Sequence, residues 1–270
     1  MKTILITGAS SGIGRATANY FSEQGWNVIA TMRTPEKETE LNRRERVLVT
    51  KLDVVEKDTV QDAISKGIEH FGKIDVLLNN AGYAAFGAFE AASDRQVRRQ
   101  FDVNVFGVLH TIQSILPHFR KNNKGMIINI SSVAGRAAFP LLSLYHASKW
   151  AIEGFSESLF YELAALNIKV KVVEPGNVAT DFTGRSLDFI TDDSLEVYRA
   201  YTETVMKKQM ELFQTNVSSP GLIAKTIYEA AVDPSNRFRY VAGEDAKFLM
   251  KTRAENSDDN FMAFIANSFR

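Results

Sequence analysis

The sequence predicts an α/β fold in which a parallel sheet of about seven strands is covered by helices on both faces. Short runs of β-branched and other apolar residues alternate with longer amphipathic segments along the 270 residues. The runs are apolar throughout instead of alternating with polar residues, as expected for strands buried on both faces. No internal repeat or Pro/Gly/Ser-rich linker divides the chain, so we expect one domain over residues 1–270.

Seven runs have the length and composition of such strands, and a longer segment separates each run from the next. They are KTILIT (2–7), WNVIAT (26–31), RVLVTKL (46–52), IDVLLN (74–79), GMIINIS (125–131), IKVKVVE (168–174) and RFRYVA (237–242).

Two of the intervening helices have clear start signals. Ser93 and Gln96 have the spacing of a capping box, and Ser219 followed by Pro220 predicts the N-cap and first residue of a helix over 220–232. Behind the capping box, apolar residues recur at three- and four-residue steps and predict one long core-facing helix. These residues are Val97, Phe101, Val105, Val108, Ile112, Ile115 and Phe119.

The segment 181–217 is a long excursion at a point where a strand is normally followed at once by its helix. It mixes aromatic and aliphatic residues with many polar ones. Long excursions in compact domains are usually functional. The segment is therefore interpreted as a substrate-binding lid inserted in the domain, with a passive insertion as the alternative.

Composition excludes several functional classes. Lys plus Arg equal Asp plus Glu at 32 each, so no global field favours nucleic acid or an anionic membrane. The chain has no cysteine, which excludes disulfides and thiolate chemistry. The apolar run at the N-terminus is too short for a signal peptide, and no stretch reaches about 18 apolar residues. A cytoplasmic protein is expected.

TGASSGIG, residues 7–14, joins the first strand to a helix and has the character of a phosphate-binding turn. Gly8 permits a tight turn, Gly12 a close approach of the backbone to a pyrophosphate, and Gly14 close packing of helix on sheet. The helix start adds free N–H groups and a positive dipole. A tight βα turn without a ligand would have the same sequence. No Gly-Lys-Ser/Thr follows, which excludes a P-loop.

YHASK, residues 145–149, places Tyr145 and Lys149 one helical turn apart on the same face. A phenol with a pKa of about 10 is a poor base at neutral pH, and lowering it to about 7 requires about 4 kcal/mol of preferential stabilisation of its anion. A nearby ammonium in a partly desolvated site is one source of that stabilisation. The alternative is an ordinary surface pair.

These motifs and several others occur in the order found in the short-chain dehydrogenase/reductase family, which the chain resembles over about residues 1–180. The resemblance is to the compact single-domain branch and implies a Rossmann-type doubly wound fold. The further motifs are LDV (52–54), NNAG (79–82), Asn104, SS (131–132), and PG (175–176) with Thr180.

The resemblance also implies a nicotinamide dinucleotide and its contacts. The pyrophosphate would be held by the turn at Gly8, Ser11, Gly12, Ile13 and Gly14. Adenine would contact Asp53 and Val54, and the adenosine ribose Asn80, Ala81 and Gly82. Tyr145, Lys149, Pro175, Gly176, Val178 and Thr180 would surround the nicotinamide riboside.

The residue after the second strand favours NADP(H) over NAD(H). The chain reads TMRTPEK, with Met32 where the family places an acid for NAD, and with Arg33 next to it. A guanidinium pairs strongly with a 2′-phosphate. Arg33 is also compatible with a solvated surface role, and Ser11 lacks the basic side chain that some NADP-dependent members have in the glycine turn.

In this family the tyrosine is the general acid/base, so the resemblance assigns that role to Tyr145. The Lys149 ammonium and the nicotinamide cation would stabilise its anion. Ser132 would hydrogen-bond the substrate oxygen, with Ser131 as the alternative serine, and Lys149 would bind the nicotinamide ribose. Asn104 would hold a water molecule that links Lys149 to solvent; a structurally satisfied core asparagine is the alternative. No metal is expected, because the histidines show no metal-binding spacing.

The expected substrate is a small carbonyl compound or secondary alcohol, and an apolar one if the neighbouring apolar residues face the cofactor instead of the core. Those residues are Phe139, Leu141, Leu142, Phe182 and Phe189. His146 is interpreted as a neighbour of the site at best. The resemblance also implies a homodimer or homotetramer.

Two other functions remain open at this point. One is a non-catalytic NADP(H)-binding redox sensor, which would not need Asn104, Ser132, Tyr145 and Lys149 to be intact. The other is a related epimerase or dehydratase, although those enzymes usually have a larger C-terminal substrate domain than this chain offers.

Overall fold

A parallel seven-stranded sheet is the framework of the computed structural model, which describes residues 1–180, 186–214 and 217–270. The strand order is β3-β2-β1-β4-β6-β7-β9, as in a doubly wound α/β fold. The strands are β1 (Thr3–Ile6), β2 (Asn27–Met32), β3 (Val47–Lys51), β4 (Val76–Asn79), β6 (Gly125–Ile130), β7 (Ile168–Pro175) and β9 (Arg239–Ala242). Each predicted strand is confirmed to within two residues at either end.

Helices cover both faces of the sheet, because successive strand residues point to opposite sides. Ile4 and Ile6 belong to the core on one face and Leu5 to the core on the other, and all three are buried. The first face is covered by α1 (Gly12–Glu23) and α7 (Pro220–Val232). The second is covered by α2 (Lys57–Phe71), α4 (Gly107–Lys121) and α5 (Ser143–Ala164). The predicted α/β fold is confirmed.

The long helix predicted after Ser93 is interrupted by a π-helical turn. It consists of α3 (Asp94–Phe101), the π turn Asp102–Phe106, and then α4. The capping box of Ser93 and Gln96 is confirmed, as is the Ser219 cap of α7. A π turn inserts one extra residue into a helix and is frequent at functional sites. Here it contains Asn104, which is buried.

The described part of the 181–217 excursion packs against the body of the protein. β8 (Leu187–Phe189) pairs in parallel with β5 (Ala84–Phe86), and α6 (Arg199–Gln214) follows. Val205 and Ile190 of this segment are buried. An isolated parallel bridge between Val178 and Ser218 joins the two ends of the excursion.

The chain ends in α8 (Glu244–Glu255) and α9 (Asp258–Ser268). Apolar residues of these helices form a third core with the loop before α5 and with β5. Among the described residues, no helix is long and apolar enough to cross a bilayer.

Candidate active site

A cleft of about 1040 Å³ opens at the carboxyl ends of the central strands, where ligands bind in open α/β sheets. It brings together nearly all of the residues that the sequence predicts for the site. They are Gly8, Ser11, Gly12, Ile13, Arg33, Asp53, Val54, Asn80, Ala81, Gly82, Ser132, Tyr145, Lys149, Pro175, Gly176, Val178 and Thr180. Gly14 and Asn104 do not line the cleft and lie behind it.

The glycine turn between β1 and α1 has the shape of a phosphate cradle. Gly8 and Gly12 have φ angles of +70° and +54°, which favour glycine. A Cβ on Gly14 would lie 2.3 Å from the carbonyl oxygen of Gly8, so only glycine lets α1 approach the turn this closely. The free N–H groups at the start of α1 adjoin the cleft, so the turn fits a pyrophosphate.

Asn80, after β4, holds the glycine turn in place. Its Nδ2 donates to the carbonyl oxygens of Thr7 at 2.9 Å and Gly8 at 3.1 Å. In return, the Thr7 hydroxyl accepts from the backbone N–H groups of Asn80 and Ala81 at 2.9 and 3.0 Å. The NNAG segment therefore supports the turn as well as lining the cleft.

The loop after β2 presents cationic groups to the same cleft. Met32 is buried, whereas Arg33 and Lys37 are exposed and line the cleft. The nearby carboxylate of Glu38 is already engaged, because it accepts from Arg15 Nη1 at 2.7 Å and from the backbone N–H of Leu41 at 2.9 Å. Although burial raises it, these hydrogen bonds hold the pKa of Glu38 down to about 2.

Lys37 was not singled out from the sequence, although its signal was present. It stands four residues after Arg33, in the short loop that follows β2. A search for every cation in that loop, and not only for the first residue after the strand, would have found it.

Asp53 and Val54 lie where β3 ends and line the cleft. The Oδ1 atom of Asp53 accepts a hydrogen bond from the backbone N–H of Val55 at 3.2 Å, which fixes the carboxylate within its loop. The absence of a Cβ on Gly107 allows α4 to pack closely on Val54, because a Cβ there would lie 2.6 Å from Val54 Cγ2.

Ser132 and Tyr145 face each other across the cleft wall. Ser132 follows β6 and caps the 3₁₀ turn Val133–Gly135, its Oγ accepting from Ala134 N–H at 3.1 Å. A hydrogen bond links its side chain to that of Tyr145. Ser131 is buried, and its Oγ has no hydrogen-bond partner among the described residues. The hydrogen bond to Tyr145 therefore favours Ser132 over Ser131 as the serine of the candidate active site.

Lys149 lies one turn after Tyr145 on α5, with its Nζ 5.8 Å from the centre of the Tyr145 ring. The ammonium donates to the carbonyl oxygen of Ile130 at 2.8 Å, which fixes it at the end of β6. Lys149 is only 8% exposed, and burial lowers its pKa to about 8. The Lys149 ammonium, a charged hydrogen-bond donor, is thereby held at the wall of the cleft and largely shielded from water.

The expected lowering of the Tyr145 pKa does not occur in the protein alone. Burial raises this pKa to about 12 and outweighs the hydrogen bond with Ser132, which lowers it. The expectation relied on the cations of Lys149 and of the nicotinamide, and the protein alone contains only the first. It also underestimated the cost of ionising a phenol out of water. At neutral pH the hydroxyl is therefore protonated, as a proton donor must be.

The side chain of Asn104 is satisfied by its surroundings. Its Oδ1 accepts from the Tyr83 N–H at 3.1 Å, and its Nδ2 donates to the Tyr83 carbonyl oxygen at 2.8 Å and to Ser148 Oγ at 3.2 Å. The π turn is thus tied both to the chain after β4 and to α5, beside Tyr145 and Lys149. That Asn104 holds a water molecule stays a prediction.

His146 has a larger structural part than the sequence suggested. It is buried, its Nε2 accepts from Phe139 N–H at 2.8 Å, and its Nδ1 lies 2.8 Å from the Ala134 carbonyl oxygen. This pattern requires the neutral ring with its proton on Nδ1, and burial lowers the pKa of His146. His146 therefore anchors the loop between Ser132 and Tyr145 to α5.

The end of the cleft beyond Tyr145 is mainly apolar. Of the residues predicted there, Phe139, Leu142 and Phe189 line it, whereas Leu141 packs in the third core and Phe182 lies outside the described residues. Other lining residues were not predicted from the sequence. These are Phe86, Leu187, Met206 and Met210. Within the described ranges, no group of three His, Asp or Glu side chains is placed to hold a metal.

Comparison with known proteins agrees with this geometry. The short chain dehydrogenase family matches residues 2–189. The chain is 36% identical over 267 residues to 3-ketodihydrosphingosine reductase of Bacteroides thetaiotaomicron, covering 98% of this chain and 97% of that protein. A short-chain dehydrogenase structure from Streptomyces avermitilis gives a TM-score of 0.82 at 34% identity, with 94% of each chain covered.

The structure of ElxO with NADP bound gives a TM-score of 0.73 at 27% identity, covering 89% of this chain and 97% of that one. The family match extends through the glycine turn, the serine and the Tyr145–Lys149 pair. Sequence, fold and site geometry thus lead to one conclusion: the chain belongs to the short-chain dehydrogenase family and is an NAD(P)-dependent oxidoreductase.

Proposed function

We propose that the protein is an NADP(H)-dependent reductase of apolar ketones or aldehydes, with Tyr145 as its general acid/base. The observation that carries the proposal is the Tyr145 hydroxyl, which is protonated, hydrogen-bonded to Ser132 and flanked by the Lys149 ammonium in a cleft that begins at a dinucleotide turn. A redox sensor has no need of a proton donor placed in this way.

In carbonyl reduction, Tyr145 donates its proton to the substrate oxygen. When bound, the nicotinamide supplies the hydride. Ser132 donates a hydrogen bond to the same oxygen and stabilises the negative charge that develops there. Lys149, held by the Ile130 carbonyl oxygen, stabilises the tyrosine anion that remains. In the reverse direction the same groups accept the proton of an alcohol.

The charges after β2 favour NADP(H) over NAD(H). Arg33 and Lys37 line the cleft, and a guanidinium there pairs with a 2′-phosphate. The carboxylate of Glu38 is bound by Arg15 and by backbone N–H groups, so it does not compete for the ribose hydroxyls. The relative ElxO, which has been solved with NADP bound, supports this choice.

The apolar end of the cleft favours a substrate with a sizeable apolar part. Phe139 and Leu142 form one wall, and Met206 and Met210 of α6 form another. We therefore propose that the described part of the excursion, with α6, is the substrate lid that the sequence predicts for 181–217. The name of the related 3-ketodihydrosphingosine reductase agrees with reduction of a ketone.

The function is tested by NADPH oxidation with a panel of ketones, aldehydes and quinones of increasing apolar size. Tyr145→Phe removes the proton donor, and we expect kcat to fall by about 100- to 10,000-fold, the usual contribution of a general acid. Fluorescence titration should show that the variant still binds NADPH.

Tyr161→Phe is the matched control, because Tyr161 lies on the same helix but is 69% exposed. It should retain wild-type activity. No turnover of any carbonyl compound by the wild-type protein, despite NADPH binding, would refute the reductase proposal. Full activity of Tyr145→Phe would refute the mechanism alone.

The cofactor preference is tested with Arg33→Ala. Removing a charge-assisted contact to phosphate should lower kcat/KM for NADPH about tenfold or more, while kcat/KM for NADH stays unchanged. Arg43→Ala is the control, since Arg43 is exposed in the same loop and does not line the cleft. Equal losses with both cofactors in Arg33→Ala would contradict the assignment.

A further inference from the structure

A cluster of buried and half-buried charges lies behind Lys149, and the proposed mechanism does not use it. We call it the Glu153 cluster: Glu153 and Glu157 of α5, Glu174 of β7, Arg239 of β9, and Arg136 after the 3₁₀ turn. The side chain of Glu174 is fully buried and that of Glu153 is 7% exposed. Carboxylates this deep in a protein normally require partners.

Arg239 is the main partner of the buried carboxylates. Its Nε donates to Glu153 Oε2 at 3.1 Å, and its Nη2 donates to Glu157 Oε2 at 2.7 Å. The same Nε lies 3.3 Å from Glu174 Oε1 without hydrogen-bond alignment. Arg136 Nη1 reaches Glu174 Oε2 at 3.5 Å. Within the described chain, the Oε1 atoms of Glu153 and Glu174 have no hydrogen-bond partner.

The two buried carboxyl groups differ in how well hydrogen bonds would stabilise a negative charge on them. Glu153 accepts a well-aligned hydrogen bond from Arg239, whereas Glu174 has only the long contact with Arg136. Burial, and after it the nearby Glu153, raise the pKa of Glu174. A negative charge on Glu153 is therefore better stabilised by its partners than one on Glu174.

That charge lies next to the catalytic lysine. Lys149 and Glu153 are four residues apart on α5 and share a face of the helix. Both are buried, and in the part of the chain that the structure describes no carboxylate forms an ion pair with Lys149 within 4.0 Å. Burial lowers the pKa of Lys149, and the charge of Glu153 opposes this effect.

We propose, on the basis of the function proposed above, that Glu153 is a positioning residue whose carboxylate, held by Arg239, keeps Lys149 protonated. Lys149 can stabilise the anion of Tyr145 only while it carries its own charge. Loss of the Glu153 charge makes Lys149 release its proton at a lower pH. The decline of reduction on the alkaline side then begins at a lower pH as well.

The groups that face this pair from neighbouring elements are few. Glu174 from β7 and Arg239 from β9 face Glu153, and Arg136 faces Glu174. Tyr145 faces Lys149 from the preceding turn of α5. Glu157, on the next turn, is 49% exposed and binds the same arginine as Glu153. Glu157 is thus a matched control of the same charge and the same helix.

The experiment follows the Lys149 side chain directly, so that it does not depend on a substrate. Protein labelled with ¹³C at the lysine ε carbon is titrated by NMR, and the Lys149 signal is identified by its absence from Lys149→Met. In Glu153→Gln we expect its titration midpoint to fall by about one pH unit, the lower end of the effect of a nearby opposite charge. In Glu157→Gln the midpoint should stay close to that of the wild-type protein.

An unchanged midpoint in folded Glu153→Gln would overturn the proposal, as would an equal fall in Glu157→Gln. If Glu153→Gln does not fold, the proposal can still be tested with the wild-type protein. The carboxyl carbon of Glu153 should then show a titration step coincident with that of Lys149, and the step should vanish in Lys149→Met. Absence of that step in the wild-type protein would equally refute the proposal.

Where the carbonyl panel gives turnover, the pH profile supplies a second readout. The alkaline decline of kcat in Glu153→Gln should lie about one unit below that of the wild-type protein. Near pH 6, where Lys149 is protonated in both proteins, the two should have similar kcat. A uniform loss of activity at every pH would indicate a merely structural role. Lack of turnover in the wild-type protein would refute the reductase function without affecting the titration.

Discussion

Lys149 shows how burial sets the behaviour of a single charged residue. It is 8% exposed, and burial lowers its pKa from 10.5 to about 8. At pH 7 the ammonium is charged in both the folded and the unfolded chain, so the folded state carries the full cost of desolvating it. At a pH above the ordinary pKa of lysine, the group is neutral in both the folded and the unfolded chain, and the desolvation cost disappears.

We therefore expect Lys149→Met to stabilise the protein while abolishing its catalysis. The free energy of unfolding should rise by up to about 3 kcal/mol at pH 7, and the gain should shrink as the pH rises from about 8 to about 10.5. Urea denaturation at several pH values measures it. Lys247→Met, at a side chain that is 59% exposed, should change the stability little at any pH. A loss of stability in Lys149→Met at pH 7 would contradict the expectation.

At the scale of the element, the start of α1 depends on close packing that only glycine permits. Gly14 stands in the first turn of α1, directly against the carbonyl group of Gly8 and the side chain of Asn80. Gly221 has a comparable position in the first turn of α7, but the nearest atom to a Cβ there, Ser219 Oγ, is 3.8 Å away. Alanine substitutions at these two helix starts therefore distinguish the effect of close packing from the effect of helix propensity.

Gly14→Ala should destabilise the protein by about 2–4 kcal/mol and weaken NADPH binding, because backbone atoms of the turn must move. Gly221→Ala should be neutral or stabilising by up to about 1 kcal/mol, because alanine is the better helix former. Thermal unfolding and NADPH titration of both variants measure these effects. Similar stability of the two variants would show that α1 does not need close contact with the turn.

The elements also show where sequence patterns lose information. The seven long strands could be predicted because each is a continuous apolar run, the mark of a strand buried on both faces. β5 and β8 have three residues each and pair across about a hundred positions of the chain, too little for any periodicity to show. The π turn at Asn104 was missed because one extra residue barely disturbs a helical stripe.

At the scale of the whole molecule, one face of α5 is left open. Trp150 and Tyr161 are 48% and 69% exposed, and with Gly154 and Glu157 they occupy one side of the helix. Exposed aromatic side chains on one helix face are typical of protein interfaces. This agrees with the homodimer or homotetramer that the family resemblance implies, which remains a prediction.

Trp150→Glu should weaken the association of subunits about 30-fold or more, because burying a charge in place of an aromatic anchor is costly. Size-exclusion chromatography with light scattering over a range of protein concentrations measures the change. Phe248→Glu on α8 replaces another exposed aromatic residue, one that is 63% exposed, and should leave the association unchanged. If the wild-type protein is a monomer at every concentration, the interface does not exist.

Across the whole molecule, the sequence predicted which residues line the candidate site, but it did not predict how burial shifts their pKa values. The positions of Ser132, Tyr145 and Lys149 follow from motifs at strand ends, and the cleft brings them together. The direction in which the pKa of Tyr145 shifts could not be predicted, because it depends on burial by residues distant in sequence. The same holds for Glu174, which reads as an ordinary acid at the end of a strand but is completely buried.

The bridge between Val178 and Ser218 has a consequence for how this enzyme class diversifies. Ala179 N–H donates to the Ser218 carbonyl oxygen and Ser218 N–H to the Asn177 carbonyl oxygen, each at 2.9 Å, so the excursion enters and leaves the body at one place. The entropic cost of closing a loop grows only slowly with its length. We therefore expect that exchanging the chain beyond Thr180 and before Ser218 between relatives would change the substrate range and leave the proton donor in place.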